Sequence, residues 1–341
     1  MQVLDNALAS LAPAKPQAFS NLAVYPLLSP TADQAAGYLV LDEALARRTA
    51  QVTEVSEGGS VPELAFQNDG DAAVLLLQGE ELVGARQNRV LNITMLVAGG
   101  RRVAIPVSCV ERGRWSYNSR EFTSADRALF MKARAKQMRQ VTASLRDSGR
   151  YSSDQREVWA DISEKSARFS SPSPTDAMSE VFEQQRQRVD AYVDAISALP
   201  GQCGAVFAID GEVVGLEYFD APASFAHYLP KLVRSYALDA AETAVSRAGS
   251  KLPPVEEVVR QFIAGLLATT AECFPGVGEG VNVRLENATL AGSALVLGER
   301  LLHCAVFKSV AASPRSHLAP SRVARARRTP PSSVPPESWP G

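Results

Sequence analysis

The periodicity of the apolar residues changes twice along the chain, and that change limits the folds open to it. Up to residue 107 they come in short, strand-length runs: NLAVYPLL (21–28), AQVTEV (50–55), PELAFQN (62–68), AAVLLL (72–77), NITMLVA (92–98) and RRVAIPVSCV (101–110). These are rich in β-branched residues, which suit a pleated, half-buried surface. Gly58-Gly59, Asn68-Asp69-Gly70 and Gly99-Gly100 separate them as hairpin turns do. One short helix is expected within LDEALARR (41–48).

From Ser124 to Leu145 the spacing becomes three and four, placing Phe130, Met131, Arg134, Met138, Val141 and Leu145 on one helical face. A second helix is expected from Asp154, where D-Q-R-E fits a capping box, and SSPSP (170–174) breaks it. A long helix then carries Met178, Val181, Phe182, Gln185, Val189, Tyr192, Val193, Ile196 and Leu199 to a stop at Pro200-Gly201. Strands return at GAVFAID (204–210) and EVVGLEYF (212–219) around Asp210-Gly211. Helices near 230–247 and 255–273 follow, and VNVRLEN, ATLAGSALVL and RLLHCAVF close the pattern as a meander. Pro230 suits a helix start better than a helix interior. The expected fold is α+β. Antiparallel or mixed sheets from the N-terminal, middle and C-terminal strands pack with a central set of long amphipathic helices.

Residues 1–311 are expected to form one domain, and 312–341 a disordered tail. From Pro314 onward that tail holds seven prolines and five arginines with almost no aliphatic residues, too little apolar surface to offset its ordering entropy. The formal net charge of −2 gives no electrostatic case for nucleic acid or membrane as the main partner. The longest apolar run, FIAGLLATTAECF (262–274), falls short of the roughly 18 residues a membrane span needs and reads as a buried helix. Cysteines 109, 203, 273 and 304 lie far apart, outside any disulfide framework or zinc pattern. A basic, apolar leader is lacking, so the expected location is the cytoplasm with reduced thiols.

The densest chemistry is LLLQGEELVGARQNRVLN (75–92). Gly79 and Gly84 allow a tight turn with Glu80 and Glu81 at the bend. If the following residues run extended, Arg86, Asn88 and Asn92 share one face, and Gln87 and Arg89 the other. Either face sets a guanidinium beside an amide. Arginine grips phosphate or carboxylate bidentately, and an amide both donates and accepts. Downstream, CVERGRWSYNSREF (109–122) adds Glu111, Arg114 and the amphipathic Trp115. The alternative is a sheet-edge ion network in which Glu80 and Glu81 pair with Arg86 and Arg89. Arg134, inside an apolar stripe, either snorkels or reaches an anion in a cleft. AVLLLQGEELVG (73–84) also echoes AVFAIDGEVVG (205–215), either as two hairpins built by the same rules or as a duplicated unit equating Glu80 with Glu212. Other templates are weak. There are three histidines, at 227, 303 and 317, and no GxSxG, HExxH or Walker A pattern.

YLVLDEAL (38–45), QGEELVGARQNRVLN (78–92), IPVSCVERGRW (105–115) and LVRSYALDA (232–240) resemble the bacterial ARPP-1 domain, the ARG- and rhodanese-phosphatase-superfamily-associated protein domain. The similarity spans about residues 18–310 and is most specific at 78–115. It implies work near ADP-ribosylglycohydrolases and phosphatase-like enzymes, hence near NAD or ADP-ribose. Two classes of function follow. One is an enzyme on a nucleotide or ADP-ribose-type ligand, with Glu80, Glu81, Glu111 or Glu212 as acid or base and Arg86, Gln87, Asn88, Arg89, Asn92, Arg114 and Trp115 holding the ligand. Converging carboxylates would suit Mg²⁺. The other is a non-catalytic adaptor or sensor that docks a partner enzyme of ADP-ribose metabolism.

Overall fold

A computed structural model describes residues 2–30, 35–56, 58–117, 119–246 and 256–308. These belong to one compact unit, Met1–Ser309. The expected basic tail, and its boundary at 311, lie outside the described residues.

The architecture is α+β. The larger sheet has nine antiparallel strands. Leu22–Leu28 pairs with Gln202–Ile209, which forms a hairpin with Glu212–Phe219. That strand pairs with Arg300–Lys308, and the sheet continues outward through Leu290–Leu297, Val281–Glu286 and Thr270–Pro275. The hairpin turns at Asp210 and Gly211, both with positive φ, as the Asp-Gly pair predicts. Ala12–Pro13 and Gln17–Phe19 flank Leu22–Leu28.

A second, six-stranded antiparallel sheet runs Phe122–Ala128, Glu80–Gly84, Arg89–Leu91, Arg102–Cys109, Glu63–Asn68 and Ala50–Glu54. Its two outer strands meet at a bridge between Thr53 and Glu121, so the sheet curls back on itself. Val52, Phe66, Leu82, Leu91, Ile105 and Phe122 fill the curl. A three-stranded sheet, Met95–Val97, Ala73–Leu76 and Tyr38–Val40, abuts it, with its last pairing parallel.

Helices Met131–Ser148 and Pro222–Ser246 join these layers, and Gln155–Phe169, Met178–Gln184 and Arg186–Asp194 pack outside them. Met131–Ser148 ends on Gly149 in the left-handed region, and Asp154 caps the next helix by accepting from Arg156 N–H at 2.9 Å. Arg134 in the first of these helices does not snorkel. It is fully buried, and its Nη1 meets Glu217 Oε1 at 2.6 Å. From Glu217 a polar chain runs through Arg134, Gln78 and Gln137 to Asn92 and Ser108, tying the two large sheets together.

Several boundaries differ from expectation. Phe122–Ala128 is a strand, because its backbone completes the ladder on Glu80–Gly84, and sheet pairing overrides the local helical spacing. The long helix over 178–199 breaks at Gln185 (φ −100°, ψ 6°) into two. The apolar run 262–274 leaves the helix after Leu267 and becomes the edge strand Thr270–Pro275. Pro230 lies inside a helix that starts at Pro222. It sits on the exposed face, where water can satisfy the carbonyl it leaves free. An unforeseen helix, Gln2–Ala9, covers the outer side of the large sheet with Leu4 and Leu8. The sequence echo is not structural. Residues 205–215 make a hairpin, whereas Ala73–Leu76 and Glu80–Gly84 belong to different sheets.

Candidate functional site

Three of the strands end at the same mouth of the curled sheet. Side chains alternate along a strand, so Arg89 points the same way as Leu91, into the curl. Cys109 lies opposite it in register, and Glu54 shares the inward face of its strand with Val52. A tight turn at 84–88 closes the mouth. Gly84 has φ +141°, and a Cβ there would lie 2.5 Å from the Glu121 carbonyl oxygen. Ala85 takes φ 37°, a conformation a non-glycine residue holds only when its surroundings fix it. Arg114 fixes it by donating to Ala85 O at 2.7 Å, and Ala85 N–H donates to Ser119 Oγ at 3.0 Å.

The residues singled out in the sequence fall into four groups. The first is the mouth itself. Arg89 is fully buried and donates from Nη1 to Gln87 Oε1 at 2.9 Å, while its Nε and Nη2 have no hydrogen-bond partner among the described residues. Burial pushes its guanidinium below the ordinary range, with Cys109 and Glu54 opposing. The Cys109 thiol, pushed up by burial, donates to the same Gln87 oxygen at 3.1 Å. Half-exposed Trp115 lies above, its ring centroid 5.8 Å from Arg89 Cζ and 5.6 Å from Arg86 Cζ. Tyr117, also half-exposed, stands 4.4 Å from Arg86 Cζ.

The second group is a buried brace beneath the mouth. Glu111 accepts from Arg114 at 2.6 Å and from Asn88 N–H at 3.1 Å, and Asn88 donates to Glu81 at 3.3 Å. Glu81 is wholly buried and pairs with Arg127 at 2.5 Å; desolvation raises its carboxyl above the ordinary range despite that cation.

The third group surrounds Glu80. It accepts from Lys231 at 2.5 Å and from Ser124 at 2.6 Å, and Lys231 also reaches Asp42 at 3.0 Å, which binds His227 at 2.7 Å. Burial alone would lower the Lys231 ammonium, but Glu80 and Asp42 raise it. Lys231 therefore stays protonated, and it cannot serve Ser124 as a general base.

The fourth group lies elsewhere. Asn92 is in the interior polar chain, accepting from Ser108 at 2.6 Å and Gln137 at 3.0 Å and donating to Tyr151 O at 3.0 Å. Glu212 is exposed at the far end of the nine-stranded sheet, where Lys308 approaches it at 3.4 Å. It does not converge with the other acids.

The alternative reading, in which Glu80 and Glu81 pair with Arg86 and Arg89, is thus not the network built. The acids take Lys231, Arg127 and Arg114 as counterions, and Arg86 and Arg89 lie by the aromatic rings of Trp115 and Tyr117. Glu80, Glu81 and Glu111, the acids near the turn that were expected to suit Mg²⁺, are each engaged by a cation. No group of three His, Cys, Asp or Glu side chains among the described residues is placed to hold a metal. Among the described residues no helix is long and apolar enough to cross a membrane. Glu54 and Tyr117 were not singled out in the sequence. Alternation with Val52 was a signal for Glu54, and Tyr117 stood within the flagged 109–122 stretch.

A profile of the ARPP-1 family, described as the ARG and Rhodanese-Phosphatase-superfamily-associated Protein domain, matches residues 10–307. No curated protein and no solved structure matches the chain.

Proposed function

The chain belongs to the ARPP-1 family, and on that premise we propose that the mouth of the curled sheet binds an anionic, nucleotide-like ligand of the ADP-ribose type. One observation carries this reading: Arg89 is fully buried, yet two of its three nitrogens have no hydrogen-bond acceptor among the described residues. A buried cation left partly unsatisfied is costly, and a site that keeps one has a use for it. Phosphate oxygens match the open donors of a guanidinium. Trp115 and Tyr117 offer aromatic faces at which a planar base would stack. Trp115 covers Arg89, so entry requires that ring to swing aside.

The geometry favours binding over turnover. Glu80, Glu81 and Glu111 are each tied to a cation, and Glu212 is remote. A second reading, an adaptor that docks a partner protein, draws on the family description and on Trp115 and Tyr117, adjacent exposed aromatics of the kind that anchor interfaces.

A thermal-shift screen of ADP-ribose, NAD, ADP and AMP, with and without Mg²⁺, tests the first reading, since a ligand bound to the native state stabilises it by mass action. A saturable rise in melting temperature with one or more of these is expected. No rise with any of them overturns it, and conversion of the ligand during incubation would overturn the non-catalytic part.

A further inference from the structure

We propose that Glu54 is the second pole of this site and that its ligand is a hydroxylated anion. Hydroxyl groups would donate to Glu54 while an anionic oxygen accepts from Arg89. The inference rests on the ligand-binding reading of the mouth and adds the class of compound bound.

Glu54 mirrors Arg89. Both carboxylate oxygens are buried, and neither accepts a hydrogen bond among the described residues. Its strand ends at the same mouth, and it shares the inward face with Val52. The loop above packs close: a Cβ on Gly59 would lie 3.4 Å from Glu54 Oε2 and 3.1 Å from Arg86 Cδ. So the mouth holds, among the described residues, buried acceptors without donors and buried donors without acceptors. Buried polar groups are almost always matched, and two complementary failures in one place define what is missing. The missing group must donate on one side and accept on the other.

Charge decides what the donor is. Arg89 already places a cation here, so a ligand ammonium seated at Glu54 would stand close to a like charge. A neutral hydroxyl donates without that repulsion. A vicinal diol can donate to both oxygens of one carboxylate, which fits the two open acceptors of Glu54. Sugar phosphates combine such hydroxyls with an anionic group, and so does the phosphorylated ribose of a nucleotide.

The test uses the full chain and three probes by calorimetry: ribose 5-phosphate, 2-deoxyribose 5-phosphate and inorganic phosphate. The wild type should prefer ribose 5-phosphate over its deoxy counterpart at least tenfold, the rough worth of one charge-assisted hydrogen bond. In Glu54→Gln and Glu54→Ala that preference should fall to near unity, while inorganic phosphate binds as well as before or better because a nearby negative charge is gone. Comparing two ligands on one variant cancels any change in its stability. Equal binding of the two sugars by the wild type, or a preference that survives in both variants, would overturn the role of Glu54 and leave the anion site standing. Failure of all three probes to bind the wild type would bring down the anion site as well.

Discussion

Arg134 and Arg89 are both fully buried, and they are buried in opposite ways. Arg134 meets Glu217 at 2.6 Å and Gln78 at 3.2 Å, and Tyr236 OH closes on the same Glu217 oxygen at 3.3 Å. Glu217 sits below the ordinary carboxylate range: burial works to raise it, and the Arg134 guanidinium and His303 together more than offset that. Arg89 donates to one neutral amide oxygen, and its other two nitrogens have no hydrogen-bond partner among the described residues. A matched charge inside a protein fixes an arrangement of elements, here the seam between two sheets. One whose hydrogen bonds are left open adds little to the fold that an apolar residue would not, and its open donors suit a ligand.

The largest expected effect breaks the matched member. Arg134→Met strands the Glu217 carboxylate in the core and should cost about 3–5 kcal/mol of unfolding free energy in denaturant titration. Arg134→Met combined with Glu217→Met removes both charges and should recover much of that loss. A double variant as unstable as the single one would show that the pair is not the seam's anchor.

Lys231→Met should come next, because it leaves Glu80 and Asp42 without their shared cation. Lys231 and Glu80 are buried, while Asp42 is partly solvated, so the cost should be lower than for Arg134. Nucleotide affinity should be unchanged. Loss of affinity at constant stability would move the site from the mouth to this cluster.

His227 gives a smaller, pH-dependent effect. Its hydrogen bond to Asp42 raises its pKa above 6.5. The protonated form therefore contributes stability that is complete below pH 6.5 and is lost as pH rises through the raised value. Melting temperature measured against pH should decline across that window in the wild type and stay flatter in His227→Gln. With the ring nearly one-third exposed, the difference is screened and small. Identical profiles would contradict it.

Glu212→Gln should do least, within about 1 kcal/mol and without effect on binding, since its pairing with Lys308 is exposed.

The contrast between the two arginines was half legible in the sequence. Alternation around Leu91 and Val52 places Arg89 and Glu54 on inward faces, and the 109–122 stretch announces Trp115. The partners were not legible, because they come from far along the chain. Lys231 lies 151 residues from Glu80, and Glu217 lies 83 from Arg134. Nothing local distinguishes an acid that will meet a lysine on a distant helix from one left for a ligand. The fold class was readable from the switch of period, but Phe122–Ala128 and Thr270–Pro275 were not, because a neighbouring strand rather than local spacing decides them.

Arg89→Met tests the central claim most directly, with melting temperature and ADP-ribose affinity measured on the same preparation. The account predicts a loss of stability much smaller than in Arg134→Met, since Arg89 makes no direct ion pair among the described residues and gives way to an apolar side chain, together with loss of detectable binding. A variant that melts several degrees lower while binding ADP-ribose as the wild type does would contradict it, and would make Arg89 a structural arginine like Arg134.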